Sequence, residues 1–172
     1  MPWFNNAEDV VISFADETDV QLIDQRLFEA NNGLTDEIVT DFCIRETARI
    51  LTKISATDEW VNYYLSRSSG TAAVDIPDVN PNLIISSTDD FTDLCVYGAL
   101  YEYILPRTAN FGLEEDSTYA KIDYYHNKFN GLFGDLIKRW DWYDFDGDGT
   151  VDSNEKFQGI DLYDTVRMVR IR

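Results

Sequence analysis

Between Asp144 and Glu155 the chain reads DFDGDGTVDSNE, a twelve-residue stretch that carries the carboxylates of Asp144, Asp146, Asp148, Asp152 and Glu155. Calcium is a hard cation that takes about six to eight oxygen ligands, and a loop of this length supplies them from its positions 1, 3, 5, 7, 9 and 12, with a glycine at position 6 for the turn. Those places are held here by Asp144, Asp146, Asp148, Thr150 through its carbonyl, Asp152 directly or through water, and Glu155 as the bidentate closer, with Gly149 at the turn. The pattern points to a Ca2+ site rather than to an acidic solvated turn that happens to spell it. Trp140 and Tyr143 lie four and one residues before the loop, where an entering helix buries apolar side chains, and Val151 at the eighth place calls for a strand partner. The loop is solitary. Sensors carry such loops in pairs and expose a flexible, Met-rich groove; this chain has 2 Met, and Gly159 follows soon after Glu155. The expected use of the ion is therefore a staple that fixes the turn after the last long helix, with loop closure tied to ion binding.

Other chemistry is sparse. His126 is the only histidine, and no cysteine or second histidine joins it in a zinc site, so it reads as a partly buried or surface residue of a helix. No Gly-x-Ser-x-Gly elbow occurs, and GLFG lacks the Lys and Ser or Thr of a phosphate loop. Carboxylate clusters at 16–19, 89–90 and 114–116 fall at loops or helix starts, where acidic residues serve capping and solubility. An enzyme is not expected. Cys43 and Cys95 sit in helix-like patterns suited to packing, and a disulfide between them is not expected.

The composition, 44% hydrophobic and 14% aromatic over 172 residues, supports one domain over 1–158 and an arm over 159–172. The net charge of -18 repels a phosphate backbone, which excludes sequence-specific nucleic-acid binding but suits a wall past which DNA slides. The opening MPWFNNAEDV has no basic region followed by an apolar stretch, and no apolar run approaches the roughly 20 residues of a membrane span. The expectation is a soluble chain made and kept in a cytoplasm.

The elements that must position the loop read as mainly α: a small helical bundle of about four helices, with a long central loop and an extended, β-prone C-terminal arm. Residues 10–14 (VVISF) predict an edge strand or an arm on a neighbour. A helix over 35–54 follows, with Thr35 as cap and Ile38, Phe42, Ile50, Leu51 and Ile54 as its apolar stripe. A short aromatic helix comes next, capped by Thr57 or Asp58, with Trp60, Val61, Tyr64 and Leu65 on one face. Residues 67–86 form the long connection, with room for two short strands. A third helix from about Thr88 is closed by Pro106 after Leu105, and its Gly98 and Ala99 suggest close helix packing; the fourth covers about 117–140, weakened by Gly131 and Gly134. Three of the 14 basic residues, Arg167, Arg170 and Arg172, fall in the last six positions. That tail is either an arm that pairs with another surface or the last strand of its own domain.

The run DEIVTDFCIRETARILTKISATDEWVNYYL, then DLCVYGALYEYILP, then TYAKIDYYHNKFNGLF, resembles the head-to-tail connector, or neck adaptor, proteins of tailed bacteriophages, over roughly Leu34 to Ile137. The resemblance implies a structural protein of the virion neck, present in the host cytoplasm during assembly. It implies a homo-oligomeric ring with twelvefold symmetry, with the portal protein and a tail or stopper protein as partners and genome DNA passing through. It also implies that the extended terminus grips the portal, which suits Gly159 to Arg172. The calcium loop is a departure from that family. Rival readings are a free-standing EF-hand-like calcium-binding module of a bacterial protein and an enzyme with a pocket of perturbed acids.

Overall fold

The structure, a computed structural model, describes residues 4–5, 11–25, 33–67, 76–85, 89–108, 117–139, 141–153 and 155. The arm over 159–172 and Trp140 lie outside them. The architecture is mainly helical, as the periodicity predicts.

Of the VVISF run, Val11–Ser13 forms strand β2, paired antiparallel with β1 (Phe4–Asn5) in a two-stranded ribbon. Its end is anchored in the core. The Phe14 N–H donates to Thr47 Oγ1 at 3.0 Å, and the Phe14 ring meets Phe91 edge to face at 5.2 Å. The acidic residues 16–19 then start a helix, α1 (Glu17–Ile23), that hydrophobic periodicity does not reveal. Asp16 accepts from the Asp19 N–H at 3.0 Å, and the Asp19 carboxylate accepts from the Asp16 N–H at 3.1 Å, a reciprocal capping box. So short a helix persists because Val20 is fully buried and because Lys121 reaches back to Asp24 at 2.6 Å.

Helix α2 (Asp36–Ser55) begins as expected, with Thr35 Oγ1 accepting from the Ile38 N–H. Its buried face is rotated from the expected stripe: Ile50 and Ile54 are buried with Val39, Cys43, Glu46 and Thr47, whereas Ile38, Phe42 and Leu51 are half-buried. Helix α3 (Asp58–Arg67) is capped by Thr57, whose hydroxyl accepts from the Trp60 N–H at 3.2 Å. Trp60 and Tyr63 point inward, and Val61, Tyr64 and Leu65 are half-buried. Within the long connection, residues 76–85 are pinned at both ends. Trp60 Nε1 donates to the Pro77 carbonyl at 3.0 Å, the Val79 N–H donates to Ser55 Oγ at 2.9 Å, and a 3-10 turn over Pro81–Leu83 follows.

The third helix differs from expectation at Pro106. Helix α4 (Asp90–Ala99) widens into a π turn over Leu100–Ile104 and resumes as α5 (Leu105–Thr108), so Pro106 lies inside the last turn instead of closing the helix. Proline clashes with the carbonyl four residues before it and offers no N–H. The Leu105 N–H bonds to Leu100 O, five residues back, and this wider turn moves the preceding carbonyls out of the ring's way.

Helix α6 (Ser117–Arg139) packs along α4 and the π turn. Gly98 leaves room for Glu46 between α4 and α2, because a Cβ there would lie within 2.6 Å of Glu46 Cγ and collide with its carboxylate. Glu46 is fully buried, and Arg49 donates to both its oxygens, at 2.7 and 2.8 Å. Arg49 also donates to the Tyr101 hydroxyl at 2.6 Å and lies over the Phe129 ring. Burial pushes the Glu46 carboxyl above its ordinary range, although Arg49 pulls the other way. Burial also opposes the charge on Arg49, but its bonds to Glu46 and Tyr101 outweigh that and hold it as a cation. Cys43 and Cys95 are buried free thiols, with Cys95 Sγ donating to the Cys43 carbonyl at 3.3 Å.

Candidate metal centre

Helix α6 ends at Arg139, and residues 141–143, which precede the acidic loop, are not helical. Trp142 is buried, its Nε1 donates to the Leu136 carbonyl at 2.9 Å, and its ring meets Phe91 at 5.1 Å. Tyr143 pairs across an antiparallel bridge with Ile84. Two backbone bonds make that bridge: the Ile85 N–H donates to Trp142 O at 2.7 Å, and the Asp144 N–H donates to Leu83 O at 2.8 Å. The first loop residue is thus part of a backbone ladder with the central connection. Aromatic packing reinforces it, since Tyr143 meets Trp60 at 5.0 Å and Phe145 meets Tyr64 at 5.2 Å. The strand partner expected for Val151 is found instead by Tyr143, and Val151 is half-buried outside any strand.

Inside the loop the carboxylates fold the backbone. Asp144 is buried and accepts from the Gly147 and Gly149 N–H groups, both at 2.8 Å. Gly147 and Gly149 take φ of 75° and 92°, a region that side chains with a Cβ rarely adopt, which explains the glycine at the sixth place. Asp146 accepts from the Asp148 N–H at 3.2 Å, and Asp148 accepts from the Thr150 N–H and hydroxyl, both at 2.8 Å. Glu155 is buried and clasps the loop closed: one oxygen accepts from the Phe145 and Asp146 N–H groups, at 2.7 and 3.1 Å, and the other from the Asp152 N–H at 2.9 Å.

One carboxylate oxygen from each of Asp144, Asp146 and Asp148 lies within 4.8 Å of the others, an acidic cluster that could hold a metal ion. Its donors are all hard oxygens, the type that suits calcium, magnesium or manganese. The bond from the Asp148 N–H lowers the pKa of Asp146, but desolvation and the charges of Asp148, Glu155 and Asp144 together outweigh it and leave that carboxyl above its ordinary value. Of the six residues expected as ligands, the structure brings three together as converging side chains. Thr150 and Asp152 are exposed on the loop rim, and Glu155 holds the backbone of the loop's first and last thirds together.

The other acidic clusters have local roles: Asp16 and Asp19 cap α1, and Asp90 pairs with Arg139. Residues 114–116 lie outside the described residues. His126 is exposed on α6, 2.9 Å from the Asn130 amide. Sequence reasoning missed the residues that root the loop, Leu83, Ile85 and Trp142, because a backbone pairing between segments so far apart leaves no spacing to read. No helix among the described residues is long and apolar enough to cross a membrane. Searches for relatives return no matching family model, curated protein or solved structure.

Proposed function

We propose that this protein is a structural subunit of the head-to-tail connector type, and that its acidic loop holds one Ca2+ as a clamp. In this reading it forms a ring, with twelvefold symmetry, between the portal protein and a tail or stopper protein in the virion neck. The calcium part is carried by the rooting of the loop: Asp144 belongs at once to the acidic cluster and to the ladder with Leu83. A calcium ion there would supply the positive charge that offsets Asp144, Asp146 and Asp148, with Thr150, Asp152 and Glu155 as the remaining ligand positions. A ladder at the loop's entrance favours a fixed turn over a sensor, which would need a pair of helices free to swing apart. The connector part rests on the order of the elements, a Thr-capped long helix, a short aromatic helix, a long connection and two further helices, and on a charge of -18 that lets DNA pass without adhesion.

The test is capture of the portal protein from the same source by the full chain, and by a chain ending at residue 158, in calcium and then in chelator, with calorimetric titration of calcium and magnesium alongside. Capture that needs the arm and weakens in chelator supports the proposal. Absence of portal under every condition refutes the connector, and absence of calcium heat refutes the clamp.

A further inference from the structure

Between α4 and α6 runs an open groove of about 340 Å³, lined by Asp93, Tyr97, Asn127, Lys128, Gly131, Leu132 and Asp135. Two features of it have no explanation within the described fold. Gly131 stands in the middle of α6, where a glycine costs about 1 kcal/mol relative to alanine, yet a Cβ there would meet nothing within 4 Å. The helix therefore keeps a bare stretch of backbone facing the groove for no internal packing reason. Asp93 is half-buried on the opposite wall, and burial and then the negative charges of Asp89, Asp90 and Asp19 push its carboxyl up; no cation pairs with it among the described residues. Lys128, the one cation of the lining, has its ammonium over the Tyr124 ring at 5.6 Å.

We infer that this glycine-floored, acid-walled groove is the seat of the chain's own basic C-terminal segment, Val166–Arg172. The segment reads VRMVRIR, so an extended backbone there offers arginines for Asp93 and Asp135 and aliphatic side chains for Tyr97 and Leu132. Arginine's planar fork suits carboxylates that lack a partner. Net charge argues for this occupant: the segment is the strongest local concentration of positive charge on a chain of net charge -18. Reach permits it as well. The tether to it, residues 156–165, spans roughly 33 Å at about 3.3 Å per residue when extended, whereas the groove floor at Gly131 lies roughly 12 Å, at about 1.5 Å per residue, from the end of α6 at Arg139. A bare glycine lets the backbone of such a segment approach the helix closely. The inference does not rest on the metal or on the connector reading, but a segment held in this seat must leave it before it can take part in portal capture.

The test places a photo-crosslinker in the full chain as Met168→p-benzoylphenylalanine and maps the product by mass spectrometry. Cross-links to 93–97 or 127–135 within one chain support the seat; cross-links found only between chains, told apart with mixed isotope-labelled and unlabelled protein, overturn it in favour of a second copy. Gly131→Leu should abolish the cross-links within one chain without lowering the unfolding temperature. Asp135→Lys and Arg170→Glu should each lower the yield about two- to fivefold, the range of an exposed ion pair, and together restore it. Cross-links confined to other surfaces, or a yield indifferent to Gly131→Leu and to the charge exchange, overturn the inference; in that case the groove belongs to another basic partner or to none.

Discussion

Gly98→Ala adds one carbon where Glu46 already lies, and the consequence can be worked out from the contact. The new Cβ would fall within 2.6 Å of Glu46 Cγ, so the carboxylate must leave its notch. Overpacking a filled core costs about 1–3 kcal/mol, and breaking a charge-assisted bond adds about 1.5–3 kcal/mol. That second cost is reduced because the Arg49 side chain is 33% exposed and regains water. Alanine returns up to about 1 kcal/mol of helix propensity. The net expectation is a loss of about 1–3 kcal/mol, measured by urea unfolding through the fluorescence of buried Trp60 and Trp142. The decisive comparison uses Glu46→Ala as background. With the carboxylate gone the clash is gone, and Gly98→Ala should become neutral or stabilise by up to about 1 kcal/mol. Equal cost in both backgrounds would refute the notch as the reason for Gly98. Glu46→Gln supplies a pH test. Burial raises the native carboxyl above its ordinary 4.5, so the native state holds its proton to higher pH than the unfolded chain does. Stability is then full below 4.5, falls as pH rises from there through the native value, and is flat above it. Glu46→Gln should lack that fall.

Saturating calcium, at about 100 times its dissociation constant, should stabilise the chain by about 2.7 kcal/mol, a rise of roughly 5–10 °C in melting temperature; Asp144→Asn should remove the rise without unfolding the protein. Cys43 and Cys95 should resist a thiol reagent in the native state and react together on unfolding, because the bond with Cys95 and then burial push the Cys43 thiol well above its ordinary value. Prompt labelling of either in folded protein would contradict the packing described. Gly131→Ala should stabilise by up to about 1 kcal/mol in thermal or urea unfolding, since its Cβ meets nothing; a loss would show that the described fold already uses that space.

Legibility followed the range of the interaction involved. Helix α2 could be read because Thr35 and the first-turn Asp36 and Glu37 are local signals, adjacent to the residues they cap. The same logic applied to Asp16 and Asp19 would have exposed α1, whose capping box is a spacing of three; the short apolar content of the helix hid it. Pro106 misled because the rule that proline ends a helix assumes regular turns, whereas the π turn before it makes room for the ring. The rotation of the α2 face has a similar origin, since Glu46 goes inside only because Gly98, 52 residues later, leaves room for it, and Arg49 supplies its counter-charge. In the loop the spacing that brings Asp144, Asp146 and Asp148 together was written in the chain, whereas Leu83 and Ile85, which hold its entrance, were not, because a backbone bond is indifferent to side-chain identity.

The clasp made by Glu155 has a mechanical meaning. Its carboxylate bonds to the amides of Phe145 and Asp146, so the point where the chain leaves the loop is fastened to the point where it enters. Tension applied through the residues after 155 therefore bypasses the loop and reaches Asp144 and Trp142, whose backbone bonds to Leu83 and Ile85 hand it sideways into the segment held by Trp60 and Ser55. The last turn of α6 is shielded until those bonds part. A tail anchored in this way transmits a pull to the middle of the bundle instead of unwinding its longest helix from the end.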